Sequence, residues 1–130
     1  MTTPSQMALE HRDGICILRL QGFLTFGHQM EDLRAVKQEM AIRRCTKLMV
    51  DISAIPFLTS IEIGLLVGLY SSVVGRAHGK YILVGPNPRV RRILDLTRLS
   101  SIIPIAEDTE SGLSMIREAT GELTAIAQTA

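Results

Sequence analysis

From Ile63 to Gly75 the chain reads IGLLVGLYSSVVG without one charged residue, and just before it stands the short apolar run Leu48-Met49-Val50, ending on Asp51. An uncharged stretch of about a dozen residues containing Ser71 and Ser72 is too short for a bilayer, which needs about 20 apolar residues. It predicts a helix buried in a protein core. Leu48 to Ile52 has almost no polar interruption, the pattern of a central strand covered on both faces. A strand and a helix that are both apolar all round must lie in the middle of a layered structure. That requirement constrains the rest of the chain.

The flanking sequence supplies the other layers. Met7 to His11 and Ile15 to Leu20 are short apolar runs separated by Arg12-Asp13-Gly14, a hairpin signal because glycine accepts positive φ. Gly22 and Gly27 bracket a loop carrying Phe23 and Phe26. From His28 to Arg44, Met30, Leu33, Val36, Met40 and Ile42 recur at helical spacing among charged residues, which predicts an amphipathic helix. Its opening acids and closing Arg43-Arg44 complement the helix dipole. The almost uncharged helix runs from Ser60 to Arg76, and Lys80 to Val84 is a further strand. Asn87-Pro88 starts a helix to Leu96, with Asn as N-cap and Pro at the first position. Val90, Ile93 and Leu94 face inward on it. Ser101 to Ile105 is a short last strand, and Asp108-Thr109-Glu110 opens a final helix that Gly121 would cap. Gly64 and Gly68, four apart, predict close packing of the long helix on the sheet. The order ββαβαβα(β)α predicts a single α/β domain over residues 1–130. Its mixed sheet has four to five strands with about four helices, and 1–6 and 122–130 are loosely ordered.

Composition excludes several function classes. A net charge of +1 gives no bulk electrostatic case for nucleic acid or an anionic membrane. With 4% aromatic residues and no Trp, the core rests on Ile, Leu, Val and Met. His11, His28 and His78 are scattered, so neither a metal nor another cofactor is expected. Cys16 and Cys45 lack metal-type spacing and read as two buried free thiols in a reducing cytosol. The N-terminus shows no basic region followed by an apolar core, so the protein is expected in the cytoplasm.

Chemistry concentrates where the long helix begins. Thr59-Ser60-Ile61-Glu62 fits a capping box, with Thr59 as N-cap and Glu62 three positions on. The cap alone explains Thr59 and Glu62; Ser60 is the hydroxyl it does not use. The exposed N–H groups of a helix start also suit a phosphate. No nucleophile, base and orienting group can be assembled into a catalytic set, so no enzyme is expected.

The same stretch resembles a family. DISAIPFLTSIEIGLL is similar to the signature of the STAS domain (sulfate transporter and anti-anti-sigma factor antagonist) through Asp51, Ser53, Phe57, Ser60, Ile63, Gly64 and Leu65-Leu66. Leu20-Gln21-Gly22-x-Leu24, Phe26-Gly27, Val84-Gly85-x-Asn87-Pro88-x-Val90 and Leu94-x-Leu96-Thr97-x-Leu99 extend the likeness along the chain. It implies an anti-sigma factor antagonist: an interaction switch that binds an anti-sigma factor acting as a Ser/Thr kinase and is reset by a PP2C-type phosphatase. Ser60 stands at the family's phosphoacceptor, with Thr59 as the alternative. Asp51, Ser53, Thr59, Ser60, Glu62, Arg89 and Arg92 would meet the partner, and a homodimer is left open. Arg89, Arg91, Arg92 and Arg98 form a basic patch that is either a solvated helix face or part of that surface.

Two residues depart from the pattern. Thr59 replaces the family's Asp, and Glu62 replaces its Gly, which puts a carboxylate near any phosphate on Ser60. The resemblance therefore also admits a scaffold subunit without phosphorylation, as in a stressosome-like assembly, or a module binding a small ligand or nucleotide at the helix start.

Overall fold

The structure, a computed structural model, describes residues 7–12, 14–21, 29–76 and 78–117. A single sheet runs β1 (Met7–Arg12), β2 (Ile15–Gln21), β3 (Lys47–Ala54), β4 (Lys80–Val84) and β5 (Ile105–Ala106), neighbours in that order. The β1–β2 pair is antiparallel and every later pair is parallel. Gly14, at φ +81°, turns the hairpin. Helix α1 (Gln29–Ile42) joins β2 to β3, α2 (Ser60–Tyr70) joins β3 to β4, and α3 (Pro88–Leu96) follows β4. A last helix, α4, is described over 109–117. This is the mixed five-stranded, four-helix arrangement that the alternation of elements predicts. The loop with Phe23 and Phe26, the Gly121 cap and the expected loose ends lie outside the described residues.

Alternation along the strands builds two cores. Cys16, Leu18 and Leu20 of β2, Leu48, Val50 and Ile52 of β3, and Tyr81 and Leu83 of β4 pack with Val36 and Met40 of α1, Leu65, Leu66 and Leu69 of α2, and Val90 and Leu94 of α3. The opposite face, with Ile15, Ile17, Met49, Ile82 and Val84, is covered by Leu113 and Ile116 of α4. A Cβ on Gly112 would stand 2.8 Å from Met49 Cε, so a glycine lets α4 approach the sheet this closely. Asp108 caps α4 by accepting from the Ser111 amide at 2.7 Å, and this bond holds its carboxyl below the usual range.

The end of α1 departs from the sequence reading. The helix stops at Ile42, which is 78% exposed instead of facing inward. The Cys45 amide donates to Met40 O at 2.9 Å and the Arg44 amide to Ala41 O at 3.2 Å, with Arg44 at φ 53°. This is a Schellman cap with an arginine in the left-handed position. It turns Cys45 back into the core, where it is disulfide-bonded to Cys16 with Cα atoms 6.0 Å apart. The two cysteines are therefore not free thiols. A separation of 29 residues carries no cue to a contact made by folding α1 over β2.

The uncharged helix is also not uniform. It is α-helical to Tyr70 and then widens into a π-helical turn over Ser71–Arg76. The Gly79 amide takes the Val73 carbonyl at 2.8 Å, and the Lys80 amide takes Thr46 O at 2.7 Å, leading straight into β4. Tyr81 anchors α2 from the sheet: its buried hydroxyl donates to Leu66 O at 3.0 Å, and burial pushes its phenol well above the ordinary range. Gly64 and Gly68 do not pack on the sheet, since a Cβ on either meets nothing within 4 Å. The last strand is Ile105–Ala106 rather than Ser101 to Ile105; Ser101 belongs to a 3-10 turn over Leu99–Ser101.

Candidate functional site

The site is assembled where β3 hands over to α2. After Ile52 the chain turns, with the Ile55 amide donating to Ile52 O at 3.1 Å, and Ile55 and Leu58 are buried while Phe57 stays 39% exposed. This fixes the approach to the helix. Thr59 is the N-cap, as predicted, with extended backbone at φ −97° and ψ 176°. Its Oγ1 accepts from the Ile61 amide at 3.3 Å. Glu62 reaches back so that its Oε2 accepts from the Thr59 amide at 3.0 Å and also from the Thr59 hydroxyl. Glu62 is only 2% exposed, so its carboxylate is held inward by Thr59. Ser60, at the first helical position, is exposed and takes no part in these bonds.

The other predicted residues divide between two places. Asp51 Oδ1 accepts from the Ser53 amide at 2.9 Å and its hydroxyl at 2.6 Å. Asp51 Oδ2 lies 3.7 Å from Arg19 Nε, and Arg19 pairs in turn with Glu10. The hydrogen bond from Arg19, then its charge, holds the Glu10 carboxyl below its ordinary range. By strand alternation Asp51 faces the α4 side with Met49, so this polar network lies across the sheet from α2. Asp51 and Ser53 thus secure the end of β3 and do not join Thr59, Ser60 and Glu62 in one cluster. Arg89 and Arg92 are exposed on α3. Of the basic patch, Arg91 is paired with Asp95 at 3.4 Å.

One residue gains a role that its spacing did not announce. Asn87 caps α3, its Oδ1 accepting from the Val90 amide at 2.8 Å. Its Nδ2 meanwhile donates to Ile55 O at 3.0 Å and Pro56 O at 3.1 Å. The loop that presents Phe57 and Ser60 is therefore fastened to the start of α3. Ser60, Gly64, Val67 and Ser71 recur at helical spacing and are all exposed, which makes one uncharged stripe on α2 beside Phe57. Among the described residues no group of three His, Cys, Asp or Glu side chains is placed to hold a metal, and no helix is long and apolar enough to cross a membrane.

Comparison with known proteins places this geometry. The STAS domain model matches residues 6–112, and the chain belongs to the STAS domain family. Within it, the likeness is to anti-sigma factor antagonists. The chain is 29% identical over 111 residues to the anti-sigma F factor antagonist of Paenibacillus polymyxa, a match covering 84% of this chain and 92% of that protein. The fold is similar to an anti-sigma factor antagonist from Mycobacterium paratuberculosis, with TM-score 0.73, 24% identity, and coverage of 90% of this chain and 99% of that one. It is likewise similar to the Bacillus cell fate determinant SpoIIAA in its phosphorylated form, with TM-score 0.60, 24% identity, and coverage of 90% and 98%.

Proposed function

We propose that this protein is an anti-sigma factor antagonist that works as a phosphorylation-controlled interaction switch in the cytoplasm. Its uncharged α2 stripe, together with the exposed Phe57 and the exposed α3 arginines Arg89 and Arg92, docks an anti-sigma factor that is also a Ser/Thr kinase. Ser60 receives the phosphoryl group, and a PP2C-type phosphatase removes it. The protein is the substrate of these enzymes and acts by binding. The carrying observation is the division of labour at the helix start: Thr59 is committed to Glu62 and Ile61, while the Ser60 hydroxyl is exposed and unused. A phosphate there brings about −2 charge. The first-turn amides tolerate that charge, whereas a close, uncharged interface does not.

Incubation with the partner kinase and ATP, followed by intact mass measurement, tests this reading. Wild type and Thr59→Ala are expected to gain one phosphate and Ser60→Ala none. A phosphate retained on the Ser60→Ala protein removes Ser60 from the account.

Gly64 supplies a second check. A glycine inside an exposed helix face costs roughly 1 kcal/mol relative to alanine, and nothing in the described chain requires its small size. Close approach of a partner does. Gly64→Ala is expected to raise stability by about 0.5–1 kcal/mol in thermal or urea unfolding while weakening capture of the anti-sigma factor. Stabilisation with undiminished binding would move the interface elsewhere.

A further inference from the structure

We propose that Cys45 is a thiol–disulfide exchange site for anionic low-molecular-weight disulfides of the glutathione type, with Cys16 as its buried resolving partner. The two sulfurs differ in access. Cys16, the second residue of β2, is 0% exposed, whereas Cys45 retains 8% and lines a groove of about 330 Å³ between the end of α1 and the π-helical turn. Lys37, Arg44, Met40 and Ser72 are among the other residues lining that groove. Among the described residues no acidic one lines it, and neither Lys37 nor Arg44 has an ion-pair partner. These two cations in the groove attract a carboxylate-bearing reagent. The Schellman cap fixes the Cys45 backbone with its Cα 6.0 Å from that of Cys16.

The chemistry balances without another reactant. In the reduced protein the Cys45 thiolate attacks one sulfur of the small disulfide, whose S–S bond breaks and releases one thiolate. Cys16 attacks Cys45 Sγ, which forms the protein disulfide and expels the second thiolate, to which the Cys16 proton passes. Two protein thiols are oxidised and one small disulfide is reduced to two thiols. An excess of small thiol runs the same steps backwards, entering again at Cys45.

The full-length protein, reduced and freed of reductant, is exposed to oxidised glutathione and followed by intact mass and peptide mapping. Wild type is expected to lose two hydrogens, Cys16→Ala to retain glutathione on Cys45, and native Cys45→Ala to stay unmodified. Should Cys16→Ala fold poorly, iodoacetamide labelling of reduced wild type decides, with Cys45 labelled several-fold faster than Cys16. Lys37→Gln is expected to slow exchange with oxidised glutathione several-fold and to leave exchange with the neutral 2-hydroxyethyl disulfide unchanged. Equal labelling of both cysteines, an adduct on Cys16, or a native protein that stays a dithiol while the unfolded chain oxidises overturns the proposal. Equal slowing of both reagents by Lys37→Gln overturns its anionic specificity.

Discussion

Gly79→Ala is expected to destabilise the protein by roughly 3 kcal/mol, read as a fall of roughly 10 °C in the melting midpoint. A Cβ at this position would lie 2.1 Å from Thr46 O, 2.9 Å from Thr46 C and 2.9 Å from Val73 Cγ1. The first two atoms are backbone and cannot rotate aside. Moving away is no remedy, because the Gly79 amide is tied to Val73 O at 2.8 Å and the next amide, Lys80, to the same Thr46 O at 2.7 Å. Relief of the clash must therefore break a bond at the point where β4 begins to pair with β3. Overpacking of this kind costs about 1–3 kcal/mol, and a hydrogen bond lost with it adds about 1 kcal/mol. Gly75→Ala is the control, since its Cβ meets nothing within 4 Å. Its midpoint should stay close to that of wild type. A Gly79→Ala midpoint just as unchanged would mean that β4 does not enter the sheet here.

The second large effect is at Glu62. Glu62→Ala is expected to cost about 2–3 kcal/mol in urea unfolding, because it strips the Thr59 amide and hydroxyl of their shared acceptor and removes first-turn negative charge. Glu62→Gln should cost less than half as much, since an amide oxygen still closes a capping box. The glutamine variant also separates charge from cap at the proposed phosphoacceptor. With the carboxylate gone and the helix start intact, the initial rate of Ser60 phosphorylation should rise several-fold, the scale of about 1 kcal/mol between charges near water. An unchanged rate would show that Thr59 already shields Ser60 from that charge.

The contrast between these two sites shows what the sequence could display. Thr59 and Glu62 interact across three positions, and so do Asn87 and Val90, so local spacing announces both caps. The apolar runs at Leu48 to Ile52 and Lys80 to Val84 likewise announce strands without help from the rest of the chain. Gly79 depends on Thr46 and Val73, and Cys16 on Cys45. Those contacts exist only once the layers are stacked, and no periodicity records them. Arg44 hides its cap for another reason, because its left-handed φ carries none of the glycine that usually marks such a position. Ile42 belongs to α1, but it stands two positions after Met40, about 200° round the helix from the buried stripe. The spacing of Gly64 with Gly68 suggests packing on the sheet, yet a Cβ on either meets nothing within 4 Å. Gly64 belongs instead to the exposed series Ser60, Gly64, Val67 and Ser71.

The borders of the sheet restrict how any partner can add to this protein. An open strand edge is a template on which another chain can extend the ladder, so folded proteins keep such edges short or charged. One border here is β5, only two residues long, and the other is β1, which carries Glu10, His11 and Arg12 along its second half. Neither offers a long, neutral row of free backbone groups. Recruitment by strand donation is thereby disfavoured at both ends. The protein can meet other chains in a crowded cell through its helical surface without seeding sheet-to-sheet polymerisation.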